Sequence, residues 1–443
     1  MKKISQIYQD DGRLALTIGN VTFRNNFVVA SGPTVKWKEQ LIQAEESGWA
    51  GASLKLAFDP EPYISLPPRY RYFKKEAYHA FTAEKRLTFK DCLRLLEEGR
   101  QATSHLVLFA NITYIGDKPG LTGWIEMAKQ AEAAGAHAIE LNMCCPNMSF
   151  NVTMTESTRT EQTGASMGQN ATVVSMIVEA VKQAVKIPVF VKITPEGGQI
   201  ADVAKACYDK GADCVCSVAN RLAIADFDIE HINQGPYRLQ DEPTLACFSG
   251  PWIKPLALRD VFEIRRKAGP QPFIMGTGGI AGPRDAVQMI MCGADLIGVC
   301  TETMLKGFEF MPRWLKGLGD FMDRHGYRNY RDFRDLAVGK ITSADKLTLH
   351  GGYAEVDLDK CTGCGLCSAI GHCNAITIVD KKSRIDRKKC LACSICVDVC
   401  PTGAMRMVDT GIHVERRAFS VKPVGAIRMV DTGILKENHE ATD

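Results

Sequence analysis

Hydrophobic positions in this chain recur as short, nearly unbroken runs separated by amphipathic stretches of helix length. The runs lie at 27–30, 53–55, 106–111, 138–141, 189–192, 214–217, 273–277 and 296–299. Each is too short for a helix and is apolar almost throughout, as expected of a strand covered on both faces of a parallel sheet. Four are preceded by a Gly-Ala pair, at Gly51-Ala52, Gly135-Ala136, Gly211-Ala212 and Gly293-Ala294. The Gly reads as the left-handed cap that ends the preceding helix. Eight strands alternating with helices predict an α/β fold, a closed (β/α)8 TIM barrel. An open doubly wound sheet is the weaker alternative, because no G-x-G-x-x-G opens the first helix. Ahead of the first run, Leu16-Thr17-Ile18-Gly19-Asn20-Val21-Thr22-Phe23 alternates about a Gly-Asn turn and predicts a hairpin lid over one end of the barrel.

From about residue 321 the periodicity fades into a stretch rich in Arg, Asp and Tyr, and a Cys-rich module then begins near Tyr353. The predicted organisation is a barrel over 1–320, a connector over 321–352, a small α+β module over 353–409 and a tail over 410–443. Within the tail, Gly425-Ala426-Ile427-Arg428-Met429-Val430-Asp431-Thr432-Gly433-Ile434 repeats the segment that starts at Gly403. A local duplication without chemistry explains it most simply; an extra β-segment covering the module is the sharper alternative.

Composition excludes several classes. The net charge of +3 over 443 residues is too small to argue for nucleic acid or an anionic membrane. No apolar run approaches the ~20 residues that span a bilayer, and the first residues carry no signal-peptide core. A cytoplasmic protein is expected. Seventeen cysteines would suggest disulfides in a secreted chain, but eight of them are concentrated from Cys361 to Cys400.

Those eight carry the strongest motif. Cys361-x2-Cys364-x2-Cys367 with Cys373 precedes Cys390-x2-Cys393-x2-Cys396-x3-Cys400-Pro401. Three thiolates on a tight loop hold three corners of an iron–sulfur cube, and the fourth comes from the other run. This predicts a bacterial-type ferredoxin module with two [4Fe–4S] clusters. One is held by Cys361, Cys364, Cys367 and Cys400, the other by Cys390, Cys393, Cys396 and Cys373. The first run departs from the usual pattern: five residues, 368–372, precede Cys373, and Asn374 stands where Pro is usual. Paired zinc sites are the alternative.

The strand tips supply the second constellation. Lys55 and Lys192 each end an apolar run, and lysines are seldom buried without a partner. Two at one end of a barrel suggest a shared anion such as a reduced flavin. Gly278-Gly279 after the seventh strand, Thr301 after the eighth, and Ser249-Gly250 offer backbone N–H groups and hydroxyls for a phosphate. Asn111, Asn142 and Asn220 at strand tips, and Asn147 in a following loop, offer paired donors and acceptors that suit a ring imide or amide. In Leu141-Asn142-Met143-Cys144-Cys145-Pro146-Asn147 a thiol, Cys145, stands at a strand tip, where barrels do chemistry.

In this order the motifs Ala30-Ser31-Gly32, Lys55, Asn142 to Asn147, Lys192, Ser217-Val218-Ala219-Asn220, Gly276-Thr277-Gly278-Gly279-Ile280 and Val299-Cys300-Thr301 resemble the FMN-dependent dihydropyrimidine and dihydroorotate dehydrogenase barrels. The likeness is greatest to the bacterial dihydropyrimidine dehydrogenase catalytic subunits that end in a two-cluster ferredoxin. The resemblance implies that Ala30, Ser31 and Gly32 line FMN, that Lys55 and Lys192 hold the polar edge of its ring, and that Gly250, Gly278, Gly279, Cys300 and Thr301 form the phosphate side. It gives Asn111 to flavin or substrate, Asn142 and Asn220 to the substrate ring, and Cys145 to acid–base work. The implied function is an oxidoreductase that reduces or forms a C=C bond in a cyclic amide such as a pyrimidine, by hydride transfer at flavin N5. The alternatives are dihydroorotate oxidation, an electron-transfer subunit with a silent barrel and, remotely, a tRNA-reducing flavin barrel. Electrons are expected from a separate NAD(P)H-oxidising flavoprotein subunit or a ferredoxin, and an oligomer is expected. Three departures stand out: Cys144 replaces a small residue, the loop after Cys145 does not match, and Arg221 replaces a hydroxyl residue. Arg221, beside Asn220 at a strand tip, is therefore assigned to an acidic group on the substrate; the alternative is that it turns outward to pair with an acid such as Glu156 or Asp226, or serves the FMN phosphate.

Overall fold

The eight apolar runs close into a ring. They form β1 (Phe27–Val29), β2 (Gly51–Ser53), β3 (Val107–Tyr114), β4 (Ala138–Met143), β5 (Val189–Ile193), β6 (Cys214–Val218), β7 (Phe273–Thr277) and β8 (Leu296–Val299). Each pairs in parallel with the next, and β8 returns to β1 with Val299 opposite Val29. The chain is a TIM barrel, as its periodicity predicts. The computed structural model describes residues 11–60, 66–82, 85–145, 164–218 and 220–413. It divides into two compact units, 1–341 and 342–443.

The helices are set by the same local rules. In helix Phe89–Ala102 the Thr88 hydroxyl accepts from Asp91 N–H, and the buried face runs Phe89, Cys92, Leu95, Leu96, Gly99, three and four residues apart. Glycines at 135, 211 and 293 end their helices with φ of +97°, +90° and +118°. The cap expected at Gly51 lies instead at Gly48, where φ is +94°, and Gly51 is extended within β2. Lys55 therefore sits just beyond the strand tip. β3 runs past its expected end at Asn111 because it carries an extra parallel partner, Ala57–Asp59, which in turn pairs with Leu87–Thr88.

The predicted hairpin forms from Leu16–Ile18 and Val21–Phe23. It plugs the floor of the barrel: Phe23 packs 5.9 Å from Phe109 and 6.3 Å from Phe190, and Gly19 faces Pro188, which precedes β5. At the other end is a feature the sequence pattern did not announce. Tyr70–Phe73 and Tyr78–Phe81, from the β2–β3 connection, join Arg221–Ile224 and Leu245–Ser249, from the β6–β7 connection, in one four-stranded antiparallel sheet. Tyr78 stacks on Phe248 at 4.6 Å to hold it.

The expected connector is part of the barrel unit as far as residue 341. Helix Met311–His325 crosses residue 320, and Tyr330 and Phe333 are fully buried in the barrel core. The charges that made this stretch resemble a linker are paired inside. Arg334 reaches the buried Asp295 at 2.6 Å, and Arg265 reaches the same carboxylate at 2.8 Å.

In the second unit, His350–Val356 pairs with Met405–His413, and Ile376–Val379 with Lys382–Ile385, around a small core of Ala354, Ala375, Ile376 and Met405. The strand Met405–His413 passes the expected end of the module at 409 and takes up the first copy of the repeated segment. The second copy, at 425–434, lies outside the described residues.

Candidate active site and cluster sites

Side chains alternate along a strand, so in β3, β4 and β5 Asn111, Glu140, Asn142 and Lys192 all turn into the barrel. Register sets Glu140 beside Asn111 and Asn142 beside Lys192. A polar layer results. Glu140, fully buried, accepts from Ser53 Oγ at 2.5 Å and from Asn111 Nδ2, and lies 3.6 Å from Lys192 Nζ. Asn142 Nδ2 donates to Asn111 Oδ1 at 2.9 Å. Burial works against the Lys192 charge, but Glu140 and the thiols of Cys144, Cys216 and Cys300 hold its pKa above the ordinary lysine value.

Above this layer, at the C-terminal strand tips, a cavity opens. Its wall takes Ala30, Ser31 and Gly32 from the tip of β1, Lys55 beyond β2, Asn142, Cys144 and Cys145 from β4, and Lys192 from β5. Asn220 follows β6, Gly250 precedes helix Lys254–Ala268, Gly278 and Gly279 follow β7, and Cys300 and Thr301 follow β8. Residues assigned from scattered motifs thus share one wall.

Two assignments do not reach it. Asn111 lies in the layer beneath, where it orients Asn142 and Glu140. Arg221 is not on the cavity wall; its guanidinium pairs with Asp260 of helix Lys254–Ala268 at 3.1 Å. Asn147 falls outside the described residues. Two residues carry weight that the sequence did not give them. Glu140 was hidden in an apolar run, although a carboxylate inside a buried strand is itself a signal. Arg86 belongs to no motif, yet it lines the cavity with Nη2 2.9 Å from Cys145 Sγ.

The two adjacent thiols differ. Cys144 is deeply buried, turned to Asn142 Oδ1 at 3.3 Å, and burial pushes its pKa up to about 12. Cys145 packs in an apolar cluster with Leu56, Phe58 and Ile115.

In the second unit, one small cavity is lined by Cys361, Cys364, Cys367 and Cys400, and another by Cys373, Cys390, Cys393 and Cys396. The two loops share a backbone path: Gly363 and Gly365 have φ of +68° and +81°, and their counterparts Ala392 and Ser394 have +54° and +63°. At Gly363 a Cβ would fall 2.1 Å from Lys381 O, so only Gly fits. The Ser383 N–H and hydroxyl hold Cys361 below the usual thiol pKa, which favours a thiolate ligand. Among the described residues no three such side chains converge on a point that would hold one metal ion. Four thiols spread around a cavity suit a larger cube.

The family model for dihydroorotate dehydrogenase matches residues 13–322. The chain belongs to this family. A second model, the 4Fe-4S dicluster domain, matches residues 360–411. The NAD-dependent dihydropyrimidine dehydrogenase subunit PreA of Escherichia coli K12 is 27% identical over 362 residues, 80% of this chain and 84% of that one. The chloroplastic dihydropyrimidine dehydrogenase (NADP(+)) of Arabidopsis thaliana is 22% identical, over 77% and 80%. The catalytic subunit of dihydroorotate dehydrogenase B (NAD(+)) from Thermococcus kodakarensis is 27% identical, over 74% and 98%. The solved dihydroorotate dehydrogenase of Eimeria tenella, in complex with ferulenol, matches with a TM-score of 0.58 and 19% identity, over 74% of this chain and 89% of that one, which supports the fold.

As a member of this family the protein is an oxidoreductase acting on CH–CH groups, with FMN and two [4Fe–4S] clusters as its cofactors. The barrel cavity fits the flavin on two counts. Asn220 Oδ1 and Thr277 Oγ1 are buried on its wall with no hydrogen-bond partner among the described residues. Gly278 and Gly279, with φ of +135° and +72°, present bare backbone where a phosphate would approach. No helix of the described residues is long and apolar enough to cross a membrane.

Proposed function

We propose that the protein reduces or forms the C=C bond of a cyclic amide such as a pyrimidine, with Cys145 as the proton donor and acceptor. The observation that carries this reading is the position of Cys145, whose thiol shares one cavity wall with the amides of Asn142 and Asn220. FMN supplies hydride chemistry and the clusters supply single electrons. Asn142 and Asn220 present donors and acceptors to the edge of a ring. Leu56, Phe58 and Ile115 pack around Cys145 and limit the access of water to it. Cys144, turned toward Asn142, orients that amide. Ala30, Ser31, Gly32, Lys55 and Lys192 serve the ring of the cofactor, and Gly250, Gly278, Gly279, Cys300 and Thr301 its phosphate. Electrons pass between the clusters and a separate NAD(P)H-oxidising flavoprotein subunit or a ferredoxin; the names of the E. coli and Thermococcus relatives support a subunit partner.

The test is turnover of the fully loaded chain with uracil, thymine and orotate under anaerobic reduction. Cys145→Ala should keep flavin and iron but lose about two to four orders of magnitude in rate, the range of an acid–base group. Cys144→Ala should be milder. If Cys144→Ala abolishes turnover and Cys145→Ala does not, the proton passes through Cys144 instead.

A further inference from the structure

We infer that the basic hairpin of Ile376–Val379 and Lys382–Ile385 is the docking face for a small acidic ferredoxin, and that electrons cross there at the cluster of Cys361, Cys364, Cys367 and Cys400. This rests on the reading that a separate protein exchanges electrons with the clusters, and it narrows that partner to one chemistry.

Charge is concentrated at this hairpin. Residues 380–389 hold six Lys or Arg against two Asp, a formal +4, whereas the whole chain carries +3. The rest of the chain is therefore close to neutral in sum. Part of the local charge is used internally. Lys382 Nζ donates to Leu358 O at 2.6 Å and to Cys361 O at 2.7 Å, Arg387 lies 3.5 Å from Glu355, and Lys389 lies 3.7 Å from Asp386. Lys381, Arg384 and Lys388 are exposed and make no ion pair among the described residues.

The hairpin has two faces, because side chains alternate along a strand. Ser383 turns inward, 3.2 Å from Cys367 Sγ and 3.6 Å from Cys361 Sγ through its Oγ. Lys382 and Arg384 stand on the other face, opposite Val379 and Thr377. One strand thus touches cluster ligands on one side and offers cations on the other. The hairpin turn also reaches the open edge of the cluster. Lys381 O stands where a Cβ on Gly363 would fall, and the next residue, Cys364, is the one exposed thiol among the eight ligands. Leu366, 52% exposed, lies two residues on.

This composition decides among partners. A permanent subunit covers a large and mainly apolar face, whereas electron-transfer partners that come and go meet over less than about 1,200 Å² and are steered by opposite charge. The outer hairpin face is polar at Thr377, Lys382 and Arg384 and apolar only at Val379. With Leu366 beside the exposed thiol it forms a small apolar centre with a cationic rim. A nucleic acid would meet the same cations but would gain nothing from an exposed cluster ligand. Each encounter moves one electron: in the reducing direction the iron–sulfur centre of the ferredoxin is oxidised by one and the cluster of this chain is reduced by one.

Calorimetric binding of an oxidised, acidic [2Fe–2S] ferredoxin to the loaded full chain tests this without turnover. Wild type should bind, and its affinity should fall as salt rises from about 20 to about 300 mM and the Debye length shrinks. Lys381→Glu/Arg384→Glu should weaken binding by about ten- to a hundredfold at low salt, and Lys381→Gln/Arg384→Gln should fall between. Lys90→Glu/Lys129→Glu, at exposed positions on two barrel helices, changes the net charge equally and should leave binding within about twofold. Unchanged iron content confirms folding of each variant. Reduction of the clusters by the pre-reduced ferredoxin should slow in the same order, while photochemical reduction stays the same. Absence of binding by wild type, salt-independent binding, or an equal loss in Lys90→Glu/Lys129→Glu overturns the inference. So does a single-stranded DNA oligomer that binds as tightly and loses as much in the hairpin variant, since the face is then a general polyanion site. Whether the barrel acts on a cyclic amide is decided separately, by turnover with uracil, thymine and orotate.

Discussion

Replacing Glu140 by Gln tests whether charge holds the polar layer beneath the cavity. Glu140 and Lys192 are both buried and 3.6 Å apart. At that separation and an effective dielectric of ~20 the attraction is about 5 kcal/mol. Removing one partner of a buried pair costs about 3–5 kcal/mol, because the other charge is left alone. The pH dependence should change as well. In wild type the Lys192 pKa lies above its ordinary value, so its stabilisation is complete below about pH 10 and is lost only as pH rises through the raised value. Without Glu140, burial dominates and pulls the lysine below its unfolded value. The unfolded chain then binds the extra proton, and the stability of the variant should rise with pH from 7 to 10 where wild type is flat. Urea unfolding of flavin-free protein, followed by tryptophan fluorescence at several pH values, measures both effects. The double variant Glu140→Gln/Lys192→Met should lose less than the sum of the singles. If the singles add within about 0.5 kcal/mol and the pH slopes match, the pair is not coupled and the account of the layer is wrong.

Cys400→Ala and Cys361→Ala should each abolish the same one of two cluster EPR signals, and Cys373→Ala and Cys390→Ala the other, with about four of eight irons lost in each case; loss of one signal by Cys400→Ala together with Cys390→Ala would refute the crossed ligation. A chain ending at Ile341 retains every barrel strand and should bind one FMN and no iron. A chain ending at 320 lacks the buried Tyr330 and Phe333, each worth about 3–5 kcal/mol, and should aggregate on expression; a soluble, flavin-loaded 1–320 would show that the segment is dispensable.

The barrel was legible because strands covered on both faces must be apolar throughout, and eight such runs leave little choice of architecture. The cluster ligands were legible because cysteine spacing reflects cube geometry directly. What escaped depends on partners distant in sequence. Arg221 stands at a strand tip as expected, but its direction is decided by Asp260 on the next helix. Arg86 is one basic residue in a motifless stretch until Leu87 pairs beside Leu56 and brings it to Cys145. The segment 321–341 looked like a linker because a buried ion pair has the same composition as a solvated surface. Only the fold supplies Asp295.

The sheet across the mouth of the barrel has a mechanical consequence. Its strands come from two connections far apart in sequence, with Cys247 opposite Phe81 and Ser249 opposite His79. Ser249 leads directly into Gly250 on the cavity wall, and Phe81 lies on that wall itself. Because backbone hydrogen bonds lock those strands in register, neither can slide without dragging the other. A displacement at Gly250 is therefore felt at Phe81, so two parts of the cavity wall that come from distant connections move as one.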